Sequence, residues 1–102
     1  MKSLLSFSSK SYMSDKKIVL SSLALDLKRV ALGYRQGSDK MAQRFTDEAL
    51  KRVVEARLLH LKPYLVDLLG KVERLPSEAN VLKKSEDALM YSTLFQNAAI
   101  YS

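Results

Sequence analysis

The chain has 102 residues, no cysteine, an apolar fraction of 47%, a charged fraction of 27% and a formal net charge of +6. That length fits one domain, and the missing cysteines exclude disulfides and thiolate metal sites together. The longest unbroken apolar runs, 88–91 and 98–101, are four residues each, far short of the roughly 20 that a membrane-spanning helix needs. A cysteine-free composition fits a reducing compartment, and the expected location is the cytoplasm.

The charge divides unevenly. Residues 1–17 hold Lys2, Lys10, Lys16 and Lys17 against Asp15, which is +3 of the total. The remainder is only mildly basic, whereas a duplex-binding domain concentrates positive charge on one face. Residues 1–14 are rich in serine and contain no acidic residue. Their apolar pairs are too short for a signal-peptide core. Met13-Ser-Asp-Lys-Lys reads as a natural start, so 1–14 is expected to be a flexible tail and 15–102 a single domain.

Through the rest of the chain, apolar residues recur every three to four positions and do not alternate, which predicts helices and no strands. A first helix is expected from about Lys16 to Arg35, capped by Ser14 or Asp15. Leu20, Leu23, Ala24, Leu27, Val30, Ala31 and Tyr34 form its inward stripe; Ser21, Asp26, Lys28 and Arg29 lie off it. Gly37 supplies the left-handed residue that ends such a helix, and Ser38 caps the next. The second helix, about Asp39 to Arg57, turns Met41, Ala42, Phe45, Ala49, Val53 and Ala56 inward. Its outer face offers Asp47 with Lys51 and Glu48 with Arg52 as acid-first pairs four apart.

Pro63 disfavours helical geometry at Lys62 and suits a first helical position. A break near 60–62 and a third helix from Pro63 to Arg74 are expected, with Tyr64, Leu65, Leu68, Leu69 and Val72 inward; a single helix kinked at Pro63 is the alternative. Pro76 ends that segment, and Ser77 is expected to cap a last helix from about Glu78 to Ile100. Val81, Leu82, Ala88, Leu89, Leu94, Phe95, Ala98 and Ala99 give this helix its period. The fold class is therefore all-α, a small up-and-down bundle of four helices, or three with one kinked.

Sites for chemistry are scarce. His60 is the only histidine and reads as a helix-end residue. A di-iron bundle needs Glu-x-x-His pairs, but Glu55 precedes His60 by five residues. Asp47-Glu48 and Glu86-Asp87 are adjacent carboxylates that diverge by about 100° on a helix, and so read as solvated faces. No glycine cluster cradles a phosphate and no nucleophile elbow occurs. No enzyme activity, metal or cofactor is expected.

Two surfaces remain. The last helix is apolar around most of its circumference, more than one stripe can use. Met90, Tyr91, Leu94 and Tyr101 are accordingly expected at an intersubunit contact of a homodimer. The basic residues of the first hairpin, with Arg44, Lys51 and Arg52 at their centre, offer an alternative nucleic-acid or acidic-partner surface. The expected function is a non-catalytic regulatory or adaptor protein acting through protein–protein interaction.

Overall fold

The computed structural model describes the backbone of residues 2–102 and the side chains of residues 15–102. The tail expected at 1–14 lies outside the residues whose side chains are described. Four α-helices follow one another, with no strand among the described residues: α1 (Lys2–Arg35), α2 (Asp39–Arg57), α3 (Pro63–Arg74) and α4 (Val81–Ile100). A single 3₁₀ turn, Leu75–Ser77, links the last two. In the resulting bundle α1 packs along both α2 and α4, while the shorter α3 touches both of those partners and covers the side opposite α1.

Between α1 and α2 only Gln36 and Gly37 turn the chain. Gly37 has φ +72, the left-handed conformation that costs a residue with a Cβ about 1–2 kcal/mol. It lets the Ser38 amide donate to the Gly33 carbonyl at 2.8 Å and the Gly37 amide donate to Tyr34 at 3.2 Å, the paired bonds that close a helix end. Ser38 then serves the next helix, its hydroxyl oxygen accepting from the Met41 amide at 3.2 Å. One residue thus completes α1 and starts α2.

The α1–α2 seam is built from small side chains. Ala42, Ala49 and Ala56 recur every seven residues on α2 and are all fully buried, so one narrow stripe faces α1 along its length. The backbones come closest at Gly33, where a Cβ would stand 2.7 Å from the Ala42 nitrogen and 3.0 Å from its Cα. Thr46, which the apolar period misses, is buried in the same seam and donates to the Ala42 carbonyl at 2.7 Å.

Small residues also bring α4 onto α1, with hydroxyl groups added. Ser85 donates to the Ala31 carbonyl at 3.2 Å, and Ser92 donates to the Ala24 carbonyl at 2.6 Å. Both donors and both acceptors are spaced by seven residues in opposite chain directions, so the helices run antiparallel with a fixed register. These carbonyls also belong to the α1 helix, where a carbonyl oxygen has a second lone pair to offer. Larger side chains fill the middle: Leu20, Leu23, Leu27, Val30, Val53, Leu69, Val72 and Phe95 are all within 2% of complete burial.

Pro63 begins a new helix. Lys62 is extended (φ −63, ψ 149), as a residue before proline must be, and it forms the α3 cap without a side-chain bond. Four helices are therefore present, with residues 58–62 between α2 and α3. The start of α4 differs from expectation. Ser77 folds back to donate to the Arg74 carbonyl, and Asn80 is the cap, its side-chain oxygen accepting from Lys83 N at 3.0 Å. Inward faces also need correction. Tyr64 is exposed on α3, and Val81, Leu82, Leu89 and Leu94 are exposed on α4, where Ser85, Tyr91 and Ser92 are buried instead. Serine takes core positions here because leucine would hold the two backbones apart.

Gly33 and Gly70 test the close approach as a pair. Gly33→Ala should destabilise the bundle by about 1–3 kcal/mol, because overpacking outweighs the roughly 1 kcal/mol gain in helix propensity. At Gly70 a Cβ meets only the flexible end of Arg74, at 3.5 Å, so Gly70→Ala should stabilise by about 0.5–1 kcal/mol. Thermal midpoints shifting in opposite directions are expected; a rise for both variants would show that the α1–α2 seam has room.

Candidate interaction surface

The four α4 residues expected at an interface separate. Tyr91 packs in the core and is 9% exposed, whereas Met90, Leu94 and Tyr101 stand on the surface. Leu94 and Tyr101 border a cleft of about 330 Å³ with Leu61, Tyr64 and Leu65 where α3 begins. Met90 lies in a different hollow, with Lys71, Arg74 and Leu75 beside the 3₁₀ turn. The tyrosine belongs to the fold because position 91 follows Ala88 by three residues and so turns with it toward the core.

Nor do the three cations form one surface. Lys51 donates to Glu48 at 2.9 Å, a bond that holds the Glu48 carboxyl below its usual range. Arg44 and Arg29 approach the Phe45 ring, at 5.3 and 5.1 Å from its centroid, a cation–π geometry. Arg52 pairs with Glu55 on its own helix at 2.8 Å and sets its Nε 3.9 Å from Asp26 of α1. The ion pairs on α2 thus run three apart, and Asp47 instead accepts from Gln43 at 2.9 Å. Asp39, Asp47 and Glu48 stand among Lys40, Arg44 and Lys51 around a shallow hollow, so this face is close to electrically balanced.

A further set of exposed apolar residues lies on α1 and α4. Ile18, Leu25 and Leu32 recur every seven residues on α1 and are exposed, as are Leu82, Leu89 and Ile100 on α4. Between the helices runs a groove with two hollows. One, of about 340 Å³, is lined by Ala24, Leu25, Lys28, Leu89, Ser92 and Thr93, together with Gln96 and Asn97. The other, of about 100 Å³, is lined by Lys28, Ala31, Leu32, Arg35 and Leu89. The alanine and serine residues that pull α4 onto α1 form the groove floor, and the leucines beside them stand up as its banks. The sequence carries a signal for it: α1 has two apolar series of period seven, 20-27-34 and 18-25-32, and one helix face cannot bury both.

Besides Thr46, a carboxyl group is buried at the α1–α2 seam. Asp26, expected on the outer surface, is 8% exposed. Its carboxylate is 3.9 Å from Arg52 Nε, and that buried nitrogen has no hydrogen-bond acceptor among the described residues. Burial pushes the Asp26 carboxyl above its usual range, and the nearby Glu48 adds to this; Arg52 and Arg29 pull the other way without cancelling it. A carboxyl raised in the folded state contributes stability that is present below its unfolded value, roughly pH 4, and is lost as pH rises through the folded value. Asp26→Asn should therefore raise the thermal midpoint at pH 7, with the gain shrinking toward zero as pH falls to about 4. Midpoints of both proteins across that range check this, since carboxylates not coupled to Asp26, such as Glu73, contribute alike to each. A variant less stable than the parent at pH 7 would show that attraction to Arg52 outweighs burial.

No family model matches this chain, and neither a curated protein nor a solved structure shows significant similarity to it.

Proposed function

We propose that this protein is a non-catalytic interaction module, a small regulatory or adaptor protein of the cytoplasm that works through the outer faces of α1 and α4. The observation that supports this reading is the apolar strip of Ile18, Leu25, Leu32, Leu82, Leu89 and Ile100, all exposed on two adjacent helices. Single exposed apolar residues are normal, but Leu25, Leu32 and Leu89 share one groove, with the other three on the same two helices, and grouped exposed apolar residues on a small domain mark a surface that a partner covers. The Arg44 and Lys51 face carries matched carboxylates, which favours a protein partner over nucleic acid, since nucleic-acid binding rests on unopposed positive charge. Photocrosslinking in the native cell tests the strip. A benzophenone residue at position 25 or 89 should give covalent protein adducts, and one at Gln43, on the far face of α2, should not. No adducts from either strip position would defeat the reading.

Self-association through the outer side of α4 is a second part of the proposal, supported by the exposure of Met90, Leu94 and Tyr101. A two-fold axis lets one patch cover its own copy. The hydrodynamic mass at tens of micromolar should then be about twice the 11.5 kDa of the chain. Changing Met90 and Leu94 to Lys should give a monomer with its helicity intact, because neither side chain belongs to the core. A parent protein that sediments as a monomer would remove the dimer and leave the groove untouched.

A further inference from the structure

We infer that the α1–α4 groove takes an acidic amphipathic helix, a proposal that rests on the interaction reading above and names the chemistry of the partner. The groove is shaped for side chains. Its two hollows lie on either side of the Lys28–Leu89 pair, which lines both. Leu25 borders one hollow and Leu32 the other, so they are separated by about one heptad, roughly 10 Å along α1 at 1.5 Å per residue. A third helix laid along the groove presents apolar side chains at that same spacing and can seat one in each hollow.

Charge selects the partner. Lys28 and Arg35 are the only charged residues lining the two hollows, and neither has an ion pair among the described residues. Elsewhere on α1 the exposed Lys17 is offset by Asp15, Arg29 lies over the Phe45 ring on the α2 side, and Asp26 is buried on that same opposite seam, so Lys28 and Arg35 set the charge of the groove. The α4 bank contributes Thr93, Gln96 and Asn97, which are neutral; Glu86 is exposed on α4 but lines neither hollow. A partner helix with carboxylates flanking its apolar stripe would neutralise Lys28 between the two seats and Arg35 beyond the second. A second copy fits poorly, because a two-fold contact across this groove brings the Lys28 and Arg35 cations of the two chains together, and like charges brought together cost affinity. A bilayer surface can cover the leucine banks but has no side chains to enter the hollows behind them.

Two synthetic peptides of about three heptads supply the probes, each used below the concentration at which it self-associates. Both carry leucine at the heptad core positions; one carries glutamate and the other lysine on its flanks. By fluorescence anisotropy the glutamate peptide should bind with Kd about 1–100 μM and weaken several-fold from low to high salt, and the lysine peptide should bind at least about tenfold more weakly. Leu25→Asp with Leu89→Asp, and separately Lys28→Glu, should each reduce binding by about tenfold or more with unchanged circular dichroism. The inference is overturned if neither peptide binds, if both bind alike, or if the leucine substitutions leave affinity unaltered. Anionic phosphatidylglycerol vesicles that bind the protein and displace the glutamate peptide would assign the groove to a lipid surface and overturn it as well. Crosslinks from residue 25 without affinity for the glutamate peptide would reject the acidic helix alone, whereas the absence of crosslinks would reject the interaction reading itself.

Discussion

The structure depends on how closely α1 can approach its two long neighbours. On one side the contact is van der Waals packing of backbone on backbone, with Gly33 against Ala42. On the other it is two serine hydroxyls bonded to carbonyls of α1. Each such bond contributes only about 0.5–1.5 kcal/mol net. Their larger effect is on register, because a slip of one residue along α4 would leave both buried hydroxyls without acceptors. Leucine packing alone tolerates such slips better, since apolar contacts have no direction.

Close approach decides what can be buried. Where two helices nearly touch, the space between them admits alanine, serine or glycine, and bulky residues gather either in the middle of the bundle or outside it. The middle takes Phe95 and the inward leucines of α1 and α3. Leu25, Leu32 and Leu89 flank a seam too narrow to admit them, and they stay in contact with water. The groove is therefore the outer side of the same contact that fixes the fold. A larger residue in place of Ser92 or Ala24 would alter stability and surface shape together.

Much of this architecture is legible in the residue order. The inward stripe of α1, the Gly37-Ser38 boundary and the start of α3 at Pro63 follow from apolar period and from the backbone limits of glycine and proline, which are local properties. The failures share a cause. Ser85, Ser92, Thr46 and Asp26 are polar residues at buried positions, and period counting treats any polar residue as outward. For Ser85 and Ser92 the acceptor comes from a distant helix that no local window contains, while Thr46, bonded within its own helix, and Asp26 are buried by the close approach of α1 and α2, which is equally non-local. The division of Met90, Tyr91, Leu94 and Tyr101 between core and surface was hidden for a related reason. An all-round apolar helix does not state which side its neighbours occupy, and α3 proved to cover the side that Tyr91 faces. The groove itself could be suspected from the second period-seven series of α1, but its opposite bank comes from a helix whose alignment is set by tertiary hydrogen bonds.

The serine bonds that seat α4 join residues 54 and 68 positions apart in the chain, so the two banks of the groove come from remote segments. Neither bank makes a groove by itself. A partner that fills it recognises the completed tertiary structure, since α1 without α4 offers a ridge and no hollow. Thermodynamic linkage then runs in both directions: whatever binds across the seam also holds α4 in place, adding RT ln(1 + [L]/Kd) to the free energy of unfolding, about 2.7 kcal/mol at a hundredfold excess over Kd. Native domains are stable by only about 5–15 kcal/mol, so an occupant at that excess would add a substantial fraction to the folding free energy.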